Sequence, residues 1–112
     1  MQLKTLLPSL KEKKRYLAFE VISKSKTTYT DTAKAIWNSV LSFAGTSGAA
    51  RMGINIMTYN NQKGLIRVAH TSLEELKASL TLITTINNEP AIVRSLGASG
   101  ILAKAKKNYL EG

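Results

Sequence analysis

Residues 51–71 read RMGINIMTYNNQKGLIRVAHT, and this stretch decides the fold. From Arg51 to Tyr59, Met52, Ile54 and Ile56 fall on one side of an alternating pattern, the period of two that specifies a strand. Leu65 to Thr71 repeats the pattern, with Ile66 and Val68 facing the same way as Ile54 and Ile56. Between them, Asn60-Asn61-Gln62-Lys63-Gly64 is turn chemistry, because Asn and Gly tolerate positive φ. The segment is a β-hairpin, and its flanks supply the rest of the architecture.

Upstream, Tyr16 to Ser23 alternates Leu17, Phe19 and Val21 with Tyr16, Ala18, Glu20 and Ile22, a further strand. The polar run Lys24 to Thr30 leads to Thr30 or Asp31 as the expected N-cap of a helix. Ala33, Ile36, Trp37, Val40, Leu41 and Ala44 stripe that helix at the spacing of one buried face, and Gly45 and Gly48 are expected to end it. Trp37 and Phe43, on or beside the stripe, are expected in the core. Downstream, Ser72 with Glu75 forms a capping-box pattern opening a second helix, whose buried face is Leu73, Leu76, Leu80 and Ile83. Asn87-Asn88-Glu89-Pro90 stops it, Ala91 to Leu96 is a fourth strand, and Gly97 and Gly100 bracket a turn. Ile101, Leu102, Ala105 and Tyr109 stripe a last helix, with Lys104 and Lys107 opposite. The order β-α-β-β-α-β followed by a helix specifies an α+β fold of the ferredoxin-like or RRM-like kind, with a four-stranded antiparallel sheet and two helices on one face. No internal repeat or low-complexity segment interrupts it.

A chain of 112 residues supports one domain, with residues 1–14 as a basic N-terminal arm broken by Pro8. Hydrophobic residues make up 44% and the mean hydropathy is -0.08, values of an ordinary globular chain. No apolar run approaches the roughly 18 residues that cross a bilayer, and no secretory leader is legible. The absence of cysteine excludes disulfides, thiol catalysis and thiolate metal sites, and fits a reducing interior. Sixteen Lys and Arg against seven Asp and Glu leave a net charge of +9, a field that attracts polyanions. An acidic membrane is the weaker partner, because the one helix with a basic face carries a single aromatic, Tyr109.

Enzymatic chemistry finds little purchase. His70 is the only histidine, so no His-rich metal site or paired base can be assembled, and its place on the helix-facing side of the third strand makes it structural. Glu74 and Glu75 belong to a first helical turn, where carboxylates favour the macrodipole, and as neighbours they point about 100° apart. No catalytic residue and no protein-bound cofactor are expected.

For nucleic acid, an RRM would stack bases on aromatics of its third strand, but Leu65 and Arg67 stand where those rings belong. The face bearing Ile22, Arg51, Met57, Leu65 and Arg67 instead has the mixture of apolar groups and arginines suited to a partner protein, or to the chain's own last helix. Phosphates have two candidate places. One is Lys11, Lys13, Lys14 and Arg15 at the start of the first strand, which could equally be a solvated basic arm. The other is Gly97-Ala98-Ser99-Gly100 opening the last helix, flanked by Arg94 and by Lys104, Lys106 and Lys107. Free N–H groups at a helix start attract anions, although a lone Gly-x-x-Gly is more often a plain turn capped by Ser99.

Two segments carry a family resemblance. Leu7-Pro8-Ser9-Leu10-Lys11-Glu12-Lys13-Lys14-Arg15-Tyr16-Leu17-Ala18-Phe19-Glu20 resembles the opening of the archaeal ribonuclease P protein component 2 family. Val93-Arg94-Ser95-Leu96-Gly97-Ala98-Ser99-Gly100-Ile101, with the lysine-rich run from Ala103 to Leu110, resembles that family's C-terminal motif. The resemblance implies a cytoplasmic protein subunit of the ribonucleoprotein that removes the 5′ leader from precursor tRNA, with cleavage performed by the RNA and its bound Mg²⁺. It implies contact with the catalytic domain of ribonuclease P RNA, pairing with a TIM-barrel-like protein subunit, and self-association. Lys13, Lys14 and Arg15 match the family's basic positions in the first motif, and Arg94, Ser99 and Gly100 match the second. Two other readings stand beside it: a free-standing RRM-type RNA-binding domain, and a ferredoxin-like small-molecule-binding oligomerisation module.

Overall fold

A computed structural model describes residues 13–110. The elements are β1 (Lys14–Ser23), α1 (Tyr29–Met52), β2 (Asn55–Asn60), β3 (Lys63–Ala69), α2 (Leu73–Thr81) entered through a 3-10 turn at His70–Ser72, β4 (Thr85–Ile86), β5 (Glu89–Ser99) and α3 (Leu102–Ala105), which runs on as a π turn at Lys106–Leu110. The strands form one antiparallel sheet in the order β2-β3-β1-β5-β4. The class is α+β as the patterning requires, with five strands where four were expected.

The fifth strand comes from Asn87 and Asn88. Their φ values of 52° and 64° make a tight two-residue hairpin loop, the conformation Asn adopts most readily after Gly, rather than a simple helix stop. The hairpin pairs Thr85 with Pro90 and Ile86 with Glu89. The β2–β3 loop has the same form at Asn61 and Gln62 (φ 53° and 66°). Gly64 serves close packing instead: a Cβ there would lie 2.5 Å from the Thr58 carbonyl and 2.6 Å from the Phe19 ring.

β1 is the central strand because it can bury both faces. Leu17, Phe19 and Val21 meet α1 and α2 through Ile36, Val40, Leu76 and Leu80, joined by Ile66 and Val68 from β3 and Val93 from β5. Phe19 is wholly buried and stacks on Tyr59 with ring centroids 5.9 Å apart. On the other face Ala18 and Leu65 are covered by α3, whose Ala105 is buried against them with Leu102, Tyr109 and Leu110 packed around.

The first helix departs from expectation at both ends. Thr28 is its N-cap, with the side chain accepting the Asp31 N–H at 3.1 Å. Gly45 (φ 73°, ψ 177°) is non-helical and interrupts the helix, as its glycine signal requires, but helical structure resumes after it and runs through Gly48 to Met52 before Gly53 closes it in the left-handed region. Ala49 and Met52, which are buried, anchor this second helical stretch against the core, so Gly48 does not stop it. Arg51 and Met52 are therefore helical, and β2 starts at Asn55. Trp37 and Phe43 are 38% and 45% exposed rather than core, because their neighbours Ile36 and Ala44 take the inward direction and adjacent helical residues point about 100° apart.

Candidate nucleic-acid interface

Charge divides between the layers of the molecule. The long helices α1 and α2 carry Asp31, Glu74 and Glu75 against Lys34, Arg51 and Lys77, and are balanced. The strands and the last helix carry Lys14, Arg15, Lys63, Arg67, Arg94, Lys104, Lys106 and Lys107 against only Glu20 and Glu89. The positive field is thus gathered on the sheet and on the helix that crosses its open face, which is where a polyanion is drawn.

Lys13, Lys14 and Arg15 lie where β1 begins, beside the end of β3 and the end of β5. Lys14 pairs with Ala69 and Arg15 with Val68, while the Lys13 carbonyl accepts the His70 N–H at 2.9 Å. His70 is exposed in the turn after β3, with Nδ1 3.2 Å from the same carbonyl, so the helix-facing position expected for it does not arise. Arg15 meets the C-terminal motif directly: a Cβ on Gly100 would lie 2.7 Å from its Nη1. Arg15 and Gly100, far apart in the sequence, are spatial neighbours here, which joins the two basic segments at one end of the sheet. Lys11 lies outside the described residues.

The anion cradle expected at residues 97–100 does not form. Gly97 and Ser99 belong to β5, opposite Ala18 and Tyr16 of β1. Ser99 Oγ accepts the Ile101 N–H at 3.1 Å, and Ile101, not Ser99, occupies the N-cap of α3. Gly97 is required because the Tyr109 ring packs on its Cα side; a Cβ would sit 2.4 Å from that ring. Arg94 does not join Gly100: six residues of extended chain, roughly 20 Å, separate them, and Arg94 is ion-paired with Glu20 on the uncovered half of the open face. Lys104, Lys106 and Lys107 are exposed on the last helix.

The face assigned to a partner protein also changes. Arg51 is in the last turn of α1, where Nη1 and Nη2 donate to the two Glu75 carboxylate oxygens at 2.9 Å each. That fork holds the Glu75 carboxyl below its usual pKa, chiefly through the Arg51 hydrogen bonds. It also displaces the expected capping box, since Ser72 makes no cap bond to its own helix. Leu65 is fully buried under α3 and is no surface residue. Arg67 sits across from Tyr16, half-buried, and its Nε is buried without a hydrogen-bond partner among the described residues. Met57 falls where the β2–β3 register shifts and is 38% exposed. Ile22, 48% exposed, pairs with Ile92, 61% exposed. Alternation within single strands did not single out Ile92 or Lys63; only the cross-strand register places Ile92 beside Ile22 and Lys63 beside Glu20.

A basic α+β protein whose positive charge is collected on the sheet side, away from a balanced helical layer, has the charge distribution of a polyanion-binding scaffold. Residues 15–110 match the model of the Rpp14/Pop5 family, and the chain belongs to that family. The protein named Ribonuclease P protein component 2 of Methanosarcina barkeri is 39% identical over 109 residues, covering 97% of this chain and 81% of that one. The protein of the same name from Thermococcus gammatolerans is 38% identical over 109 residues, covering 96% and 91%. A chain of the yeast ribonuclease MRP cryo-EM structure shares the fold with a TM-score of 0.67 at 12% identity, over 89% of this chain and 87% of that one.

Proposed function

We propose that this chain is a protein subunit of ribonuclease P and binds the RNA of that enzyme during removal of the 5′ leader from precursor tRNA. The observation that carries the reading is the charge division: eight cations on the strands and last helix face only Glu20 and Glu89. The relatives named Ribonuclease P protein component 2 support ribonuclease P RNA as the polyanion this field serves. In this reading the RNA and its Mg²⁺ perform the cleavage. Lysine and arginine neutralise phosphates where RNA helices crowd together, which lowers the Mg²⁺ needed for RNA folding because protein cations replace part of the ion atmosphere. The joined cluster of Lys13, Lys14, Arg15 and Gly100 is one phosphate contact region, and Lys104, Lys106 and Lys107 form a second.

The exposed pair Ile22 and Ile92 suits a protein partner, a TIM-barrel-like subunit or a second copy of this chain in the assembled, cytoplasmic complex. With the two-residue β4 set aside, the strand order β2-β3-β1-β5 supports the ferredoxin-like description. A free-standing RRM mode loses its platform, because Leu65 is covered by α3.

The test is cleavage of precursor tRNA by the cognate ribonuclease P RNA at limiting Mg²⁺, with and without this chain and a candidate protein partner. The expected result is activation that depends on the RNA. Cleavage by the chain alone overturns the assignment of the chemistry to RNA, and absence of any activation overturns the subunit reading. With about six phosphate contacts, log affinity should fall with log salt at a slope of roughly -4 to -5, and a flat response removes the phosphate-contact mechanism.

A further inference from the structure

We infer that the cleft between the β2–β3 hairpin tip and the end of the last helix is a binding site for one unpaired RNA nucleotide and its flanking phosphates. The inference rests on the ribonuclease P reading and adds a base-contacting site to it. The cleft has a volume of about 460 Å³ and is lined by Thr58, Asn60, Asn61, Lys63, Lys106 and Leu110, within the roughly 300–1,000 Å³ span of clefts that hold small ligands. Its chemistry matches a nucleotide group by group. Lys63 and Lys106 come from opposite walls and can each meet a phosphate. Asn60 and Asn61 carry amides that both donate and accept, the functionality that reads a base edge. Leu110 offers an apolar surface for the face of a base. Among the described residues, no carboxylate lines the cleft. A protein partner is the poorer fit, because the centre of a protein interface is depleted in lysine and this cleft has two.

The hairpin tip is held ready for such a ligand. The Gln62 carbonyl accepts the Val21 N–H at 2.7 Å. The Gln62 side chain accepts the Thr27 N–H at 2.8 Å and the Tyr59 hydroxyl at 3.0 Å, and donates to Ser23 Oγ at 3.0 Å. Buttressing the loop from behind leaves Asn60 and Asn61 directed by a fixed backbone, so binding has little loop disorder to remove. The opposite wall exists only because α3 lies on the sheet and brings Lys106 and Leu110 to β3. Unpaired nucleotides are the RNA elements whose base edges are free to be read in this way.

The chain has no cysteine, so a single introduced one is a unique tether. The experiment attaches Fe-EDTA to Asn60→Cys, or to Ser42→Cys on the exposed side of α1 as a control, and maps hydroxyl-radical cleavage of the cognate ribonuclease P RNA in the complex. In parallel, the Lys63→Gln/Lys106→Gln double variant is titrated against that RNA across salt concentrations, with thermal unfolding to verify its fold. Expected are cleavage from position 60 confined to one short unpaired stretch, none there from position 42, a loss of affinity of roughly ten-fold, and a salt slope shallower by about 1.4. RNA binding by the unaltered chain with no cleavage from position 60 and an unchanged slope in the double variant overturns the site and leaves the ribonuclease P reading standing. If the position-60 tether is shielded only when a protein partner is added, again without RNA cleavage, the cleft belongs to protein and the inference fails. If the unaltered chain does not bind the RNA at all, the reading beneath the inference fails with it.

Discussion

The two faces of the sheet are built from the same strands and do opposite work. Toward α1 and α2, β1 presents Leu17, Phe19 and Val21 to a continuous core, and the helices covering it are balanced in charge. On the other face, Ala18 and Leu65 are buried under a short helix anchored by Ala105 and Tyr109, and cations crowd the surroundings. Stability therefore concentrates on one face and polyanion attraction on the other. The covering helix is the thinly held part, a segment expected to open more readily than the core.

Substitutions on the two faces should separate these roles. Phe19→Ala empties the most enclosed aromatic position and should cost about 3–5 kcal/mol, read as a lower midpoint in urea unfolding. A loss below about 1 kcal/mol would show that the helix-side core is not the seat of stability. Replacing Lys13, Lys14 and Arg15 together with glutamine should weaken RNA binding roughly a hundred-fold and make the salt slope shallower by about 2 to 2.5, with the urea midpoint nearly unmoved. If partner-protein binding falls in parallel, the cluster belongs to a protein interface instead. Gly97→Val drives a side chain into Tyr109 and should cost about 1–3 kcal/mol by overpacking. Its signature is faster tryptic cleavage after Lys104, Lys106 and Lys107 while the helix-side core stays folded; unchanged cleavage would mean that α3 is not held at Gly97.

The smallest effect belongs to the balanced helical layer. Glu75 has its pKa lowered in the folded chain by the Arg51 fork, so its contribution is complete above the ordinary value of 4.5 and is lost as pH falls through the folded value. The difference in stability between the native chain and Glu75→Gln should be present at pH 7 and vanish on acidification below the carboxylate range. A difference that persists in acid would assign the effect to packing rather than to charge.

The class of fold was legible because β1, the central hairpin and the innermost residues of α1 and α2 follow their periods, although Trp37 and Leu41 of the first helix's stripe are exposed. Ile36, Val40, Leu76 and Leu80 lie in the core where their spacing put them. The errors fell where one residue type serves two geometries. Asn87 and Asn88 can stop a helix or turn a hairpin, and the pairing of Thr85 with Pro90 and Ile86 with Glu89 selected the hairpin. Gly97 can open a turn or admit an aromatic ring, and Tyr109, twelve residues on, selected the second. Arg51 reads as a strand residue until helical structure is seen to resume after the Gly45 break and to place it against Glu75.

Composition by itself determined that this chain seeks a polyanion, because a surplus of nine positive charges on a small protein persists in any arrangement of the backbone. Alternation and helical spacing determined the α+β class, since each face of a strand or helix must find water or core. Only the tertiary structure decided where the charge gathers, which half of the open face α3 covers, and that Arg15 and Gly100 stand together. Those outcomes depend on strand register and on the fit of side chains such as Tyr109 over Gly97, contacts between residues distant in the chain that no local period encodes.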